Sequence, residues 1–256
     1  MMPTDSIQQE LGETVDRLLG GRVVLHQPAT GYRAAIDPVL LAAAVPARDG
    51  QRVLDLGCGV GAAALALAAR LPGLSVTGLE RDETLIKLFD RNIDANEMTD
   101  RVVAMAGDVL ALLKGTADGL ATGAFDHAMA NPPFLPAGRG DPSPDPGRRA
   151  ADLEDTAALA DWIAAALAAV RRKGTVTIIQ RADRVDEVIV ALRAAGAGGV
   201  SVLPLWPRAG VEAKRVIVRA CKGVRSRARL LPGLVLHEGE GFTAAAEAIL
   251  RDGAAL

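Results

Sequence analysis

The feature that most constrains the fold is an alternation of short β-branched or Leu/Val runs with longer Ala/Leu-rich segments. This alternation predicts a parallel sheet with helices on both faces, because each helical segment returns the chain to start a parallel strand. The six predicted parallel strands are Arg52–Leu56, Leu74–Leu79, Arg101–Ala106, Phe125–Ala130, Gly174–Gln180 and Val200–Leu205. A Val/Ile/Arg alternation at Ala213–Cys221 predicts an antiparallel edge strand, so we expect the sheet to end in a hairpin.

The remaining segments predict extensions of this sheet. Arg22–Gln27 has the pattern of a strand and Asp37–Val45 that of a short helix, while Leu230–Leu256 should form a strand and a terminal helix. A longer helix is predicted at Asp152–Arg172, with acids in its first turns and basic residues at its end. Because neither end of the chain is long enough to build its own core, we predict one domain over residues 1–256, with extensions at 1–48 and 230–256.

Composition excludes several classes of protein. Half of the residues are apolar and 23% are charged, which is typical of a globular chain, and no apolar stretch approaches the length of a bilayer span. The first ten residues show no secretory pattern, so we expect a cytoplasmic protein without a membrane segment. Cys58 and Cys221 are far apart, and His26, His127 and His237 are scattered singly, so neither a metal site nor a disulfide is predicted.

The charge of the chain is unevenly distributed. The net charge is −2, but the segment from Arg171 to Arg229 contains fourteen Lys or Arg against four Asp or Glu, an excess of +10 that leaves −12 elsewhere. Such a separation can create a positive face that attracts phosphates. Solvated helix and strand ends would give the same count, so the sequence leaves both interpretations open.

Three glycines follow the first predicted strand, within Val53–Gly61, and lead into a predicted helix at Ala62–Arg70. Glycine costs regular structure roughly 0.5 to 1 kcal/mol per residue, so this cluster indicates that the backbone turns tightly and admits a ligand. The exposed N–H groups and the helix N-terminus favour a nearby anionic group. We predict a nucleotide-type binding loop in which Gly57 and Gly59 contact the ligand.

Acidic residues around the loop indicate which nucleotide it takes. The glycine spacing G-x-G-x-x-A also satisfies a loose dinucleotide fingerprint. Asp55 would repel a pyrophosphate but attract the positively charged amino group of S-adenosylmethionine, so its charge favours this methyl donor. We expect Glu80, after the second strand, to accept hydrogen bonds from the ribose hydroxyls, and Asp108, after the third, to face the adenine amino group.

The tetrapeptide Asn131-Pro132-Pro133-Phe134 follows the fourth strand, beside the ligand loop. Two prolines remove two backbone donors and rigidify the chain, leaving the Asn131 amide oxygen and the Pro132 carbonyl as acceptors. Such a pair can hold both hydrogens of an exocyclic amino group and direct its lone pair toward a sulfonium methyl group. Phe134 offers a ring on which a planar base can stack.

These motifs resemble the amino-group branch of the S-adenosylmethionine-dependent methyltransferases. Further segments are similar to the bacterial tRNA(Val) adenine-N6 methyltransferase family, and together they extend the resemblance from about Leu18 to Gly253. These segments are Gln27–Pro28, Gly31–Arg33, Asp37–Leu41, Gln180–Arg184, Pro207–Gly210, and Leu236–Gly239 before Phe242–Thr243. One departure follows the Pro/Gly-rich loop Pro136–Arg149: many relatives carry an Arg-His pair there, whereas Arg148-Arg149-Ala150 contains no histidine.

The resemblance implies both a fold and a substrate. The implied fold is a doubly wound, mostly parallel α/β sheet of seven strands with a reversed last strand, the Rossmann-like methyltransferase fold. The implied reaction is methylation of an adenine next to a tRNA anticodon. By the same resemblance Tyr32, Arg33 and Asp37 flank the methionine end of the donor, Asn131 contacts the donor as well as the acceptor, and the extension 1–48 packs near the donor site.

The leading hypothesis is therefore an RNA adenine-N6 methyltransferase that binds S-adenosylmethionine and tRNA or another RNA. Asn131, Pro132 and Phe134 would be catalytic, and Arg208, Lys214 and Arg215 would hold phosphates. Alternative acceptors for the same donor are a protein glutamine, a guanine amine or a small molecule. Two further alternatives are a nicotinamide-dependent oxidoreductase and an RNA chaperone that binds the donor without turnover.

Overall fold

The computed structural model describes residues 12–30, 33–117, 119–134 and 157–256. Strands β1 to β13 of this part are Glu13–Leu18, Val23–Pro28, Arg52–Leu56, Ser75–Glu80, Val102–Ala106, Phe125–Ala130, Val170–Arg181, Ala197–Trp206, Arg215–Lys222, Arg229–Leu230, Leu234–Val235, His237–Glu238 and Gly241–Phe242. Helices α1 to α7 are Asp37–Ala44, Ala62–Arg70, Glu83–Ala95, Val109–Leu113, Leu159–Ala169, Val185–Ala194 and Ala244–Leu250. Short 3-10 helices lie at Leu19–Gly21 and Ala182–Arg184.

The central sheet has the strand order β10-β8-β9-β7-β6-β3-β4-β5, and β11 also pairs with β8. The strands β5, β4, β3, β6 and β7 are parallel, whereas β9 is antiparallel to both β7 and β8. Leaving aside the two-residue strands β10 and β11, this is the mostly parallel seven-stranded sheet with a reversed last strand that the resemblance implies. The predicted fold class is confirmed.

The prediction that Ala213–Cys221 forms an edge strand was wrong. The strand there, β9, lies between β7 and β8 and pairs with both. Val216, Ile217 and Val218 are all buried, because the strand has helices over both faces and neighbours on both edges. A continuous apolar run of this kind marks an internal strand, whereas an edge strand more often has one solvated face.

The predicted parallel strands and the helix at Ala62–Arg70 occur within a few residues of their predicted positions. The helix predicted at Asp152–Arg172 is observed at Leu159–Ala169, and its predicted start lies outside the described residues. It ends at Ala169 because the basic run that follows belongs to β7. The first strand, Glu13–Leu18, was not predicted; its exposed and half-buried residues give only a weak strand pattern.

Two apolar cores lie on the two faces of the sheet. One is formed by α1, α2 and α3 with the N-terminal hairpin, and the fully buried Phe89 lies within it. The other is formed by α4, α5 and α6. The C-terminal helix α7 packs near α1, where the Leu256 N–H donates to the Ala43 carbonyl over 2.9 Å. Among the helices of the described ranges, none has the length and apolarity needed to cross a bilayer.

Helix α3 attaches the N-terminal hairpin β1–β2 through two asparagines one turn apart. Asn92 is fully buried; its Oδ1 accepts from the His26 N–H over 2.7 Å, and its Nδ2 donates to the carbonyls of His26 and Val60 over 3.0 Å each. Asn96 makes the matching pair of bonds to the backbone of Val24. The two asparagine side chains thus hydrogen-bond the backbone of β2 as an adjacent strand would. Asn92 also connects β2 to the glycine loop.

We predict that Asn92→Ala lowers the free energy of unfolding by about 3 kcal/mol, because three buried backbone groups lose their partner. Urea denaturation followed by circular dichroism measures this change. Asp94→Ala, an exposed position on the same helix, is the control and should change stability by less than about 0.5 kcal/mol. Equal stability of the two variants would show that the Asn92 amide does not anchor the hairpin.

Candidate functional site

The predicted site residues gather at the carboxyl ends of neighbouring parallel strands. In the β3–β6 register Leu56 faces Ala130, so the glycine loop and Asn131 leave the sheet at the same level. In the β3–β4 register Leu56 faces Leu79, which places Glu80 beside the loop on its other side. Adjacent strands are about 4.8 Å apart. The loop therefore lies between an acidic residue and the Asn-Pro-Pro-Phe segment.

Each glycine of the loop has a positive φ: 64° at Gly57, 56° at Gly59 and 85° at Gly61. A side chain at Gly57 would overlap Trp162, and one at Gly61 would overlap Phe89. At Gly59, in contrast, the space where a Cβ would point is open to at least 4 Å. The outer glycines thus allow tight packing, and the middle one presents bare backbone to a ligand.

Glu80 has a defined orientation. One carboxylate oxygen accepts from the Gly59 N–H over 3.0 Å, and the other accepts from the N–H groups of Arg81 and Asp82 over 2.8 and 3.1 Å. Each oxygen can accept a further hydrogen bond from a ribose hydroxyl. Asp108 caps helix α4 by accepting from the Leu110 N–H over 2.6 Å, so one of its oxygens has a structural role.

Asp55 lies beneath the loop and is only 2% exposed. Burial is the main cause that raises its pKa to about 8; the Ala64 N–H acts in the opposite direction and the charge of Glu80 adds to the rise. Among the described residues, no group hydrogen-bonds its Oδ2. A buried carboxyl oxygen in this position fits a cationic amino group, which is the partner that the sequence predicts for it.

The Asn-Pro-Pro-Phe segment is held by residues at the end of β7 and in the 3-10 helix that follows it. The Gln180 side chain is fully buried, and its Nε2 donates to the Pro133 carbonyl over 3.2 Å. Arg184 Nη1 donates to the Phe134 carbonyl over 3.3 Å. Neither residue was predicted from the sequence to have a role. Their position at the carboxyl end of the strand next to β6 is the feature that could have indicated one.

Arg215 covers one face of the Phe134 ring, with the guanidinium carbon 4.3 Å from the ring centroid. Its Nε also donates to Asp37 Oδ2 over 3.1 Å. Asp37 was predicted to lie at the donor and Arg215 at phosphates. Arg215 therefore contacts both Asp37 and the Phe134 ring. Cation–π contacts of this kind contribute about 0.5 to 2 kcal/mol. Phe134 is half-buried, so part of its ring remains accessible.

The other predicted residues are dispersed. Arg33 pairs with Asp16 over 2.5 Å, and Tyr32 lies outside the described residues, as does the loop Pro136–Arg149. Arg208 Nη1 donates to the Gly239 carbonyl over 2.6 Å, while Lys214 is exposed before β9.

The histidines and cysteines have packing roles. His127 is buried between Gln51 and Thr175, and burial lowers its pKa. Cys58 is buried beside Gly78, where burial raises the pKa of its thiol. Within the ranges that the structure describes, no three His, Cys, Asp or Glu side chains are grouped as metal ligands.

Comparisons with known proteins agree with this geometry. The family model described as the methyltransferase small domain matches residues 33–142. A tRNA1(Val) (adenine(37)-N6)-methyltransferase of Porphyromonas gingivalis is 31% identical over 65% of this chain and 66% of its own length. A release factor glutamine methyltransferase of Chlorobaculum tepidum is 34% identical, but over only 38% of this chain and 32% of its own. The chain thus spans between a third and about two thirds of these two relatives.

A solved structure matches more completely. The crystal structure of a predicted O-methyltransferase, protein Atu636 of Agrobacterium tumefaciens, superposes with a TM-score of 0.71 at 30% identity, covering 86% of this chain and 98% of that one. The tRNA1(Val) (adenine(37)-N6)-methyltransferase of Aeromonas hydrophila is 26% identical over 82% of this chain. From the shared fold, the matching family model and the solved structure, the chain belongs to the S-adenosylmethionine-dependent methyltransferases, and it is similar to the tRNA1(Val) adenine-N6 methyltransferases among them.

Proposed function

We propose that this protein transfers a methyl group from S-adenosylmethionine to N6 of an adenine in tRNA. The observation that carries the proposal is that the glycine loop and Asn131 follow paired residues at the ends of adjacent strands. This geometry supports a site for a cationic nucleotide next to a rigid pair of hydrogen-bond acceptors. The relatives named as tRNA adenine-N6 methyltransferases support the choice of acceptor.

The donor site uses the acidic residues in distinct ways. Asp55 holds the amino group of the donor, the backbone at Gly59 lies along it, Glu80 accepts from the ribose hydroxyls, and Asp108 faces the adenine. S-adenosylmethionine supplies an electrophilic methyl group when bound there. The Glu80 contact with Gly59 aligns the loop before any ligand arrives, which lowers the cost of ordering the site.

The acceptor amine is oriented by Asn131 Oδ1 and the Pro132 carbonyl, each of which accepts one of its two hydrogens. The nitrogen lone pair then points away from both acceptors, toward the methyl group, and no strong base is required. Gln180 and Arg184 hold the next two carbonyls, so the segment keeps its shape. The flipped base stacks on the face of Phe134 that Arg215 leaves uncovered.

Phosphate contacts near this corner come from Lys214, whose ammonium is exposed, and from Arg208. Arg215 adds positive charge while its guanidinium stays over the Phe134 ring. These residues follow β8 or lie at or just before the start of β9, at the same end of the sheet as the acceptor site, and would contact phosphates without reading the base. They therefore contribute affinity that depends on salt and only weakly on sequence.

The competing hypotheses differ in their support. The methyltransferase family and fold argue against a nicotinamide-dependent oxidoreductase and against a chaperone without turnover. A glutamine acceptor uses the same acceptor pair, but the glutamine-modifying relative matches only 38% of this chain. Analysis of the product separates an adenine acceptor from a glutamine or guanine acceptor.

We predict that Asn131→Ala reduces methyl transfer to tRNA by at least 100-fold, because an acceptor that orients the amine in the transition state is lost. Mass spectrometry of digested tRNA measures N6-methyladenosine. Calorimetry with S-adenosylhomocysteine should show less than a tenfold change in affinity, since Asn131 contributes only part of the donor contact. Thr116→Ala, at an exposed site, is the control.

Phe134 gives a second comparison within the same assay. Phe134→Leu should raise KM for RNA and lower the rate, whereas Phe134→Tyr should retain most activity because its ring still stacks. Full activity of Asn131→Ala would contradict the mechanism. Methylated glutamine or guanine, in place of N6-methyladenosine, would contradict the choice of acceptor.

The raised pKa of Asp55 predicts that the affinity for the donor depends on pH. With its pKa raised to about 8 in the unliganded protein, Asp55 is mostly protonated at pH 7. The amino group of S-adenosylhomocysteine favours the carboxylate, so binding should release up to one proton and strengthen as pH rises from 6 to 8. The same raised pKa means that the unliganded protein loses stability as pH rises through about 8.

Calorimetry at pH 7 in buffers of different ionisation enthalpy measures the released proton. Asp55→Asn should bind more weakly, without proton release, and its affinity should be flat between pH 6 and 8. Glu80→Gln, which leaves Asp55 in place, should still release the proton. Wild-type binding that releases no proton would contradict the assignment of Asp55 to the donor amino group.

A further inference from the structure

A cationic cleft lies at the end of the sheet opposite to the catalytic corner. It has a volume of about 640 Å³, and its charged lining consists of Arg193, Arg225 and Arg227. Arg193 belongs to the last turn of α6, while Arg225 and Arg227 belong to the exposed segment after β9. None of these residues belongs to the predicted donor or acceptor sites.

The cleft has a defined architecture. The segment after β9 passes directly against the start of β8, where side chains at Gly198 and Gly199 would overlap Val224 and Ser226. Arg193 Nη2 donates to the Ser226 carbonyl over 3.2 Å and so ties the helix to this segment. Two consecutive glycines thus bring arginines from two distant parts of the chain together.

The positive charge of the cleft is not balanced locally. In the described part of the chain, Arg193, Arg225 and Arg227 form no ion pair. The four acids between Arg171 and Arg229 lie elsewhere: Asp183, Asp186 and Glu187 follow β7, and Glu212 precedes β9. All four are therefore near the catalytic end of the strands.

Further cations enlarge this face. Arg172 lies beside the turn at Gly223, and Lys222 donates to the Val170 carbonyl over 2.8 Å. Arg219 is half-buried; burial is the main cause that lowers its pKa, and the charge of Arg229 lowers it further. Cations crowded in this way repel one another, and a polyanion would relieve the repulsion.

We propose that the cationic cleft binds the phosphate backbone of the RNA substrate at a distance from the modified base. This inference rests on the proposed function for the identity of the RNA. Unpaired arginines in an open, hydrated cleft bind phosphate through charge-assisted, often bidentate hydrogen bonds. Among the described residues that line the cleft none is aromatic and could stack on bases, so it holds the backbone and does not read sequence.

The position of the cleft sets the length of RNA it requires. The cleft lies about six residues from Asn131 along the strand direction, toward the amino ends of the parallel strands. It also lies three strands away from β6 in the sheet. At about 3.3 Å per residue and 4.8 Å per strand, the separation is roughly 20 to 25 Å. A helical strand rising about 3.4 Å per nucleotide covers it with about seven nucleotides. A tRNA reaches both places, whereas a pentanucleotide with the target adenine at its centre extends only two nucleotides to either side and does not.

The test compares R225Q/R227Q with the control R48Q/K114Q. All four wild-type side chains are exposed, none forms an ion pair in the described part of the chain, and both double variants lose two positive charges. Fluorescence anisotropy with bulk tRNA is measured at several salt concentrations. Methyl transfer is measured with the same tRNA and with a pentanucleotide carrying the target adenine, and thermal unfolding checks both variants.

For R225Q/R227Q we expect at least a tenfold weaker Kd and higher KM for tRNA, with kcat at saturating tRNA within twofold of wild type. The slope of log affinity against log salt should fall by about 1.5, the loss of two phosphate contacts. Transfer to the pentanucleotide should be unchanged. The control variant should match wild type in every measurement.

Two results with R225Q/R227Q would overturn the inference: tRNA affinity and salt slope equal to those of the control, or an equal loss with the pentanucleotide. If wild type binds tRNA but methylates no adenine, the proposed function fails, while the binding measurement still decides the role of the cleft. Absence of tRNA binding by wild type would reject the cleft as an RNA site.

Discussion

The candidate site depends on the Leu79 carbonyl, which accepts hydrogen bonds from the N–H groups of both Gly57 and Cys58 over 2.8 and 3.1 Å. This pair of bonds extends the β3–β4 ladder one step beyond the strand and then turns the chain. The Gly59 N–H is thereby directed to Glu80 instead of to a strand neighbour. The open face at Gly59, the position of Asp55 beneath the loop and the start of α2 all follow from this turn.

The donor and acceptor sides of the site differ in how they prepare for a ligand. On the donor side, Asp55 is buried without a hydrogen-bond partner for Oδ2 among the described residues, which is unfavourable until a cation arrives. On the acceptor side, prolines and the bonds from Gln180 and Arg184 keep the carbonyls in place. On the donor side, binding of the cation can thus offset the cost of burying a carboxyl group that lacks a hydrogen-bond partner. On the acceptor side, the carbonyls already have fixed positions, so little entropy is lost when the amine binds.

Much of the fold could be predicted from the sequence because parallel strands buried on both faces give short, mostly apolar runs between helical segments, as at Arg52–Leu56 and Phe125–Ala130. The location of β9 could not, since the pairing partners of a strand depend on contacts distant in sequence. Strand β1 was missed because its exposed residues give only a weak strand pattern. Helix α5 ends earlier than predicted because the basic residues after Ala169 pair in the sheet instead of continuing the helix.

The positions of the site motifs could be predicted because the topology brings the carboxyl ends of β3, β4 and β6 together. Their supporting contacts could not. Nothing near Arg215 in the sequence indicates that its guanidinium covers Phe134 and binds Asp37, since 178 positions separate the two ion-paired residues. The raised pKa of Asp55 could not be predicted either, because it results from burial among residues distant in the sequence, and an aspartate has a pKa of about 4 when exposed.

The reversal of β9 divides the positive charge of the chain between two ends of the molecule. Basic residues that precede this strand, such as Lys214, emerge beside the catalytic corner, and those that follow it, such as Arg225, emerge at the far end. If one RNA contacts both groups of basic residues, the length of β9, eight residues, sets the distance between the modified base and a distant phosphate. Selection of the target would then come from the shape and dimensions of the substrate, with few contacts to its bases.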